Sequence, residues 1–337
     1  MQYYKYDKLV DFGIQLLVGK GVSESKASFI SGIAVDTEAI GIATHGIACF
    51  IYFDNQIGVN LDPKSDPKII KEKGSTVLID GNSTFGQLSM KLATELAVNK
   101  ARENGIAMIG VRNAAWCGAL STYLIPMVEQ GLLAQIWAQN SQCKDCAPYG
   151  GIDARFSTNP CALAFPTDGE PMIADFSTAV VAMAKVNCLI RTGKKAEEKI
   201  FLDKDGNLTD DPNVLQQGGS ILFGGGHKGY AFSLWSEALT AMAGGDCNNP
   251  NAKPRQSFNL LAIDPEAFAG AESYKKEMKR FIAHVKSSRV RKGYGEIRIP
   301  GEKIIIKLKE AKRNGIPLEE FMINKLIDVA KKNKIVF

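Results

Sequence analysis

Between Thr76 and Ala138 the chain switches repeatedly between two hydrophobic periods, and that alternation limits the folds open to it. Thr76 to Asp80 (TVLID) reads as a strand ending in a Gly81-Asn82 turn. Gln87 to Glu103 has the apolar spacing of a helix and stops at Asn104-Gly105, where glycine can take the left-handed conformation that closes a helix. Ile106 to Val111 is a buried strand, Ser121 to Gln130 a helix closed by Gly131, and Leu132 to Ala138 (LLAQIWA) a further strand. Strands alternating with helices predict an α/β sheet with helices packed on it. Cys161 to Pro166, Met172 to Asp175 and Asn259 to Ile263 add strands, Ala179 to Arg191 a helix, and Ala271 to Ser287 a charged amphipathic helix.

The two ends read differently. Tyr6 to Lys20 is helical, and Ser23 can cap a second helix bearing Ala27, Ile30 and Ala34 on one face. Gly41 interrupts it, and Thr44-His45-Gly46 opens a third apolar segment through Phe53. After an Asp62 to Pro67 connector the α/β pattern begins. The tail supplies an Ile-rich segment (Lys303 to Leu308), an Asn314-Gly315 break and a last helix from Pro317 to Lys332. The expected division is a helical domain from 1–75 plus 295–337 around an α/β domain from 76–294.

Composition excludes several classes. Of 337 residues, 45% are apolar and 23% charged, as in soluble globular proteins. The net charge of +5 is spread out, and the densest basic region, Lys275 to Lys292, also holds Glu277 and reads as a solvated helix face. A nucleic-acid footprint is therefore not expected. The Met1 end lacks the pattern of a signal peptide, and no apolar run reaches the ~18 residues of a membrane span. Seven cysteines, an odd number, suggest free thiols in a reducing cytoplasm.

The stretch Ile221 to Gly245 carries the clearest ligand signal. Gly224, Gly225 and Gly226 precede His227-Lys228-Gly229, and helical spacing follows at Phe232, Trp235, Leu239 and Met242. A cation at a helix start opposes the helix dipole unless an anion binds there, so Lys228 hints at a phosphate. The other reading is a loop before a buried core helix. Gly224-x-Gly226-x-x-Gly229 matches the dinucleotide fingerprint, but no opening βαβ unit or downstream acidic residue accompanies it, which argues against a Rossmann site. The histidines are His45, His227 and His284. His284 lies in a charged helix; His45 lies in an apolar stretch, where a structural role competes with acid–base work. Cys143-x-x-Cys146 stands without a second pair at zinc spacing, Trp116-Cys117-Gly118 lacks the second thioredoxin cysteine at Leu120, and no metal site is expected. Asp203 to Asn207 is a hairpin turn rather than a calcium loop.

Six motifs in order give a resemblance that covers nearly the whole chain. They are Thr44-His45-Gly46, Val111-Arg112-Asn113, Ala147-Pro148-Tyr149-Gly150-Gly151, Ser157-Thr158-Asn159-Pro160, Ile173-Ala174-Asp175-Phe176-Ser177-Thr178 and Gly226-His227-Lys228-Gly229-Tyr230. The chain resembles the malate/L-lactate dehydrogenase family, whose relatives include ureidoglycolate and sulfolactate dehydrogenases, diketogulonate reductase and piperideine-2-carboxylate reductase. The resemblance implies an α/β fold with an unusual mixed sheet, not a Rossmann fold, and a homodimer. It also implies NAD or NADP as the cofactor, and hydride transfer to a 2-oxo acid or from a 2-hydroxy acid. By position it makes His45 the acid–base residue, with Thr44 or Asp175 holding its ring. The cofactor would meet Asn140, Asp175, Phe176, Ser177, Thr178, His227, Lys228, Gly301 and Glu302. Cys49, Trp116 and Asn159 would belong to the substrate pocket.

Two departures bear on the substrate. Many members carry Arg four residues after the histidine, where this chain has Cys49, and a second histidine where it has Trp116. A guanidinium fork matches a carboxylate, so its loss leaves open a bulkier or less charged substrate. A reductase of cyclic imines and a cofactor-binding homologue that has lost catalysis remain as alternatives.

Overall fold

The computed structural model describes residues 2–337. Strand β1 (Gln2–Tyr4) leads into α1 (Tyr6–Gly19), α2 (Glu24–Ala39) and α3 (Ala48–Gln56). Strands β2 (Lys68–Lys73) and β3 (Thr76–Asp80) precede α4 (Gly86–Asn104), β4 (Ile106–Ala114), α5 (Ser121–Glu129) and β5 (Leu133–Asn140). Then come β6 (Cys161–Phe165), β7 (Met172–Phe176), α6 (Met183–Thr192), the short strands β8 (Phe201–Leu202), β9 (Leu208–Thr209) and β10 (Ser220–Ile221), and α7 (His227–Met242). Strand β11 (Gln256–Ile263), α8 (Ala271–Lys286), α9 (Ile304–Asn314), β12 (Ile316–Leu318) and α10 (Glu320–Asn333) complete the chain.

The alternating segments assemble into a mixed seven-stranded sheet in the order β2-β3-β4-β11-β5-β6-β7. Only β3 and β4 run parallel, joined through α4; the other pairs are antiparallel. Strand β11 arrives late in sequence yet sits at the centre, and its alternate residues Phe258, Leu260 and Ala262 are fully buried. Against this face pack Met90, Ala93 and Ala97 of α4 and Leu124 of α5. Gly105 closes α4 in the left-handed conformation (φ 79°), as its sequence predicts. Asp203 to Asn207 forms the β8–β9 turn, with the Asp203 carboxylate accepting the Asn207 N–H at 2.8 Å.

A second apolar cluster draws on both ends of the chain. Leu9, Phe12 and Leu16 of α1 and Ile30 of α2 meet Phe50 and Phe53 of α3 and Leu326 of α10. Strand β1 pairs antiparallel with β12, Gln2 opposite Leu318. Asp54, a buried residue of α3, takes Lys20 Nζ at 2.8 Å, Lys332 Nζ at 2.7 Å and Asn333 Nδ2 at 2.8 Å.

Several local expectations change. Lys68–Lys73 lies inside the stretch assigned to the helical domain but pairs with β3, so the sheet starts there and not at Thr76. Pro317 lies in β12 and not in the last helix, which starts at Glu320; the residue before a proline favours extended backbone. Ser23 precedes α2 without a capping hydrogen bond from its side chain. Ala179 bridges to Phe223, which delays α6 to Met183.

Helix α7 is turned over relative to the core-helix reading. Phe232, Trp235 and Met242 are 50%, 55% and 61% exposed, and only Leu239 of the stripe is buried. The inward face is small: Gly229, Ser233, Ser236 and Thr240 are buried. Small side chains let the helix approach the sheet closely enough for Ser236 Oγ to donate to the Ala138 carbonyl at 3.0 Å.

Candidate active site

A cavity of about 470 Å³ opens where seven segments converge. They are the loop after α2, the β4–α5 loop, the ends of β5 and β7, the β5–β6 loop, the start of α6 and the start of β11. The loop after α2 brings His45. Gly41 leaves that helix at φ 93°, a conformation costly for other residues. The loop is then fastened from below, because the buried Glu38 carboxylate accepts the Ile47 N–H at 3.1 Å. Gly46 has to be glycine there, since a Cβ would collide with Glu38 Oε2.

His45 lies in the cavity wall with its Nδ1 2.9 Å from Thr44 Oγ1. That contact engages one ring nitrogen and leaves Nε2 for a substrate. The Trp116 indole lies 5.6 Å from the imidazole, and the Tyr52 ring packs against the indole in a T-shaped arrangement at 5.4 Å. Burial lowers the His45 pKa below its ordinary value, and the Asp175 charge opposes that shift. Asp175 comes from β7 and accepts the Ser121 N–H at 2.8 Å, at the start of α5. Burial raises its pKa, while the backbone donors and His45 pull the other way.

Asn140 ends β5, and the sheet register places Gln256 directly opposite it. Gln256 Nε2 donates to Asn140 Oδ1 at 2.6 Å, and the buried Gln256 Oε1 has no partner. Phe176 and Ser177 also line the cavity. Thr178 turns away and donates to the Thr158 carbonyl at 2.9 Å. Its own carbonyl accepts the Gly224 N–H at 2.9 Å, so the glycine turn carrying His227 and Lys228 is docked on the strand that carries Asp175. A Cβ at Gly229 would collide with the Gly224 and Thr178 carbonyls. Lys228 is exposed in the first turn of α7 and has no carboxylate partner among the described residues.

Other expected residues lie elsewhere. Cys49 is fully buried in the cluster shared by the two termini and does not line the cavity, because it lies on the inward face of α3 with Phe50 and Phe53. Asn159 is also fully buried and outside the cavity; its amide donates to Ser233 Oγ at 2.9 Å and Glu237 Oε1 at 3.0 Å, tying the β5–β6 loop to α7. The Pro300 carbonyl accepts the Ile173 N–H at 3.0 Å, and Gly301 abuts the backbone of β7. Glu302 pairs with Lys286 beside a separate cavity of about 530 Å³.

The structure also adds residues that the sequence reading did not place in the site. Gln256 reaches the site only through the register of β11. Asp145 and Cys143, both from the Cys-x-x-Cys segment, line the cavity. Burial pushes Asp145 up to about 6, although a Thr158 N–H favours its ionised form. Among the described residues that line the cavity there is no Lys or Arg.

A nicotinamide dinucleotide fits this donor set. The unpaired Gln256 oxygen beside Asn140 suits a carboxamide, whose N–H groups need an acceptor. An unpaired lysine at a helix start suits a phosphate.

A mixed sheet with a histidine–carboxylate cavity at the ends of its strands defines an α/β enzyme. Residues 4–327 match the family model described as malate/L-lactate dehydrogenase. A malate dehydrogenase of Pyrococcus abyssi is 32% identical, with 97% of this chain and 93% of that protein covered. The solved sulfolactate dehydrogenase of Methanocaldococcus jannaschii superposes with a TM-score of 0.88 at 31% identity, covering 99% and 98% of the two chains. A Δ1-pyrroline-2-carboxylate/Δ1-piperideine-2-carboxylate reductase of Pseudomonas syringae pv. tomato is 27% identical over 98% of this chain and 96% of its own. The chain is thus an oxidoreductase of the class acting on CH–OH groups. It belongs to the malate/L-lactate dehydrogenase family, whose dehydrogenases use nicotinamide cofactors. Among the described residues no helix is long and apolar enough to cross a membrane.

Proposed function

We propose that the cavity around His45 is the active site of an NAD- or NADP-dependent reductase that interconverts a 2-oxo acid and its 2-hydroxy acid, or a cyclic imine and its amine. When bound, the reduced nicotinamide cofactor would supply the hydride for the electrophilic carbon. His45 gives a proton from Nε2 to the oxygen that gains negative charge, or to the nitrogen of a neutral imine, and takes it back in the oxidative direction. Thr44 fixes the ring through Nδ1, and Asp175 favours the imidazolium that reduction requires. Because burial holds the His45 pKa low, reduction should slow as pH rises and oxidation should slow as pH falls.

Cofactor contacts in this reading are Asn140 and Gln256 at the carboxamide and Lys228 with His227 at a phosphate. Asp175, Phe176, Ser177 and Thr178 run alongside it, with Gly301 and Glu302 beyond β7. Binding is of a non-Rossmann kind; in support, the sheet has one parallel pair, and the glycine turn follows β10 of a separate three-stranded sheet. Residues 1–75 and 295–337 form the helical domain, apart from β2, and the apolar cluster shared by both ends supports that division. A homodimer would cover the outward face of α7, where Phe232, Leu234, Trp235 and Met242 are exposed. Seven free thiols favour the cytoplasm.

The observation that carries the proposal is the 2.9 Å Thr44–His45 contact in a cavity that also holds Asp175. His45→Asn should lower kcat for 2-oxo acid reduction by ~10²–10⁴, while NAD(P)H still quenches tryptophan fluorescence at wild-type concentrations. A kcat within a few-fold of wild type removes His45 from the proton-transfer role.

A further inference from the structure

The cavity that holds His45 is unusual for a site meant to receive an acidic substrate. Its ionisable lining consists of His45, Asp145, Asp175 and the thiols of Cys117 and Cys143, with no Lys or Arg. The position four residues after His45, where a guanidinium would grip a carboxylate, is Cys49, buried in an apolar cluster and outside the cavity lining. Asp175 is already engaged with the Ser121 N–H and faces His45. Asp145, which accepts a backbone N–H from Thr158, also lines the cavity. Its backbone is locked, N–H to the Phe156 carbonyl at 2.9 Å and carbonyl to the Ile221 N–H at 2.8 Å, so its side chain is presented from a fixed frame. No ion pair ties it to a cation among the described residues. A largely desolvated carboxylate that lacks a counter-ion is costly, and one lining a cavity is relieved by a cationic ligand.

We propose that Asp145 selects the substrate: it pairs with a protonated nitrogen, an iminium or a terminal ammonium or guanidinium, and disfavours substrates carrying a second carboxylate. This rests on the cavity being the active site. The carboxylate acts at the binding step, where an opposite charge attracts and a like charge repels. It makes no covalent change and takes no part in the proton transfer at His45. Trp116 fits the same assignment, since an indole face beside the site also favours a cation.

The test compares wild type, Asp145→Asn, Asp145→Glu and His45→Asn, each with NADPH and NADH. The substrates are 2-oxo-5-guanidinopentanoate, 1-pyrroline-2-carboxylate and oxaloacetate. Wild type should show a higher kcat/KM on at least one nitrogen-bearing substrate than on oxaloacetate. The open-chain and cyclic substrates tell a terminal cation from an iminium. Asp145→Asn should lower kcat/KM on the preferred one by about ten- to a hundredfold, through KM, as for a hydrogen bond to a charged group. It should raise kcat/KM on oxaloacetate, whose second carboxylate Asp145 repels, and Asp145→Glu should recover part of the loss on the preferred substrate, which a folding defect would not. A wild-type enzyme that reduces oxaloacetate as well as both nitrogen-bearing compounds, or reduces neither of them, overturns the proposal. So does an Asp145→Asn enzyme whose preference matches wild type. If His45→Asn retains turnover of the guanidino substrate, the active-site reading itself fails; if it loses turnover while Asp145→Asn keeps the wild-type preference, only the assignment of Asp145 fails.

Discussion

Replacing Glu38 by Gln asks whether the loop that carries His45 is held by a carboxylate ionised against its surroundings. Glu38 is 8% exposed at the end of α2, and its Oε2 accepts the Ile47 N–H at 3.1 Å. Burial pushes its pKa from an ordinary 4.5 up to about 7; the Ile47 hydrogen bond lowers it in part, and Glu319 adds to the rise. Between those two values the folded chain keeps a proton that the unfolded chain has released. Stability therefore falls as pH rises through the window. The favourable contribution is complete below the unfolded value and lost above the folded one. A gap of about 2.5 pH units corresponds to roughly 3 kcal/mol. Glutamine has the same shape, can accept the same N–H through Oε1 and does not titrate. The stability difference between Glu38→Gln and wild type should be small at pH 5 and grow to roughly 3 kcal/mol in favour of the variant at pH 8. Urea unfolding followed by circular dichroism at pH 5, 6, 7 and 8 reads this directly. Asp36, Asp145 and Asp175 are common to both proteins and cancel in the difference. A difference that stays constant across the range, or that moves toward wild type as pH rises, refutes the reasoning.

Lys228→Ala should weaken NAD(P)H binding about tenfold, as expected for loss of a charge-assisted contact, while changing kcat much less. Fluorescence titration alongside steady-state rates separates the two, and a slowed kcat with unchanged affinity contradicts the anchor role. Asp54→Ala should cost about 1–3 kcal/mol, because it removes the contacts that tie Lys332 and Asn333 of α10, and Lys20 at the end of α1, to α3. Burial alone would raise the Asp54 pKa, but Lys20, Lys332 and Asn333 outweigh it and bring it down to about 2. Its stabilisation is thus present above the unfolded value of 3.8 and is lost as pH falls through about 2. Thermal melts should show the deficit at pH 7 and its loss in strong acid; a deficit that persists unchanged in acid would show that the ion pairs are not its source.

What could be read from the sequence depended on how local the signal was. The strands and helices from Thr76 to Asn140 announce themselves because each segment buries its own apolar period, and the glycines at 81, 105 and 131 mark their ends. Lys68–Lys73 gives no such signal: all six residues are exposed, and it is a strand only because β3 offers it an edge. The β1–β12 pair joins the two ends of the chain, and no local pattern encodes so distant a partner. Helix α7 shows a subtler limit. Its period was legible, but periodicity defines a face without saying what the face meets; serines and glycine turned inward because the sheet leaves them little room, and the aromatic stripe turned out. The site divides along the same line. His45, Thr44 and Asp175 were recognisable because their motifs are contiguous. Gln256 and Asp145 enter the cavity through strand register and a loop crossing, and Cys49 leaves it because α3 presents that position to the core. Motifs thus pointed to the groups proposed to move a proton, whereas the charge of the pocket emerged only from the assembled walls. The same chemistry can then serve different substrates across one fold, since the walls can change while the histidine stays in place.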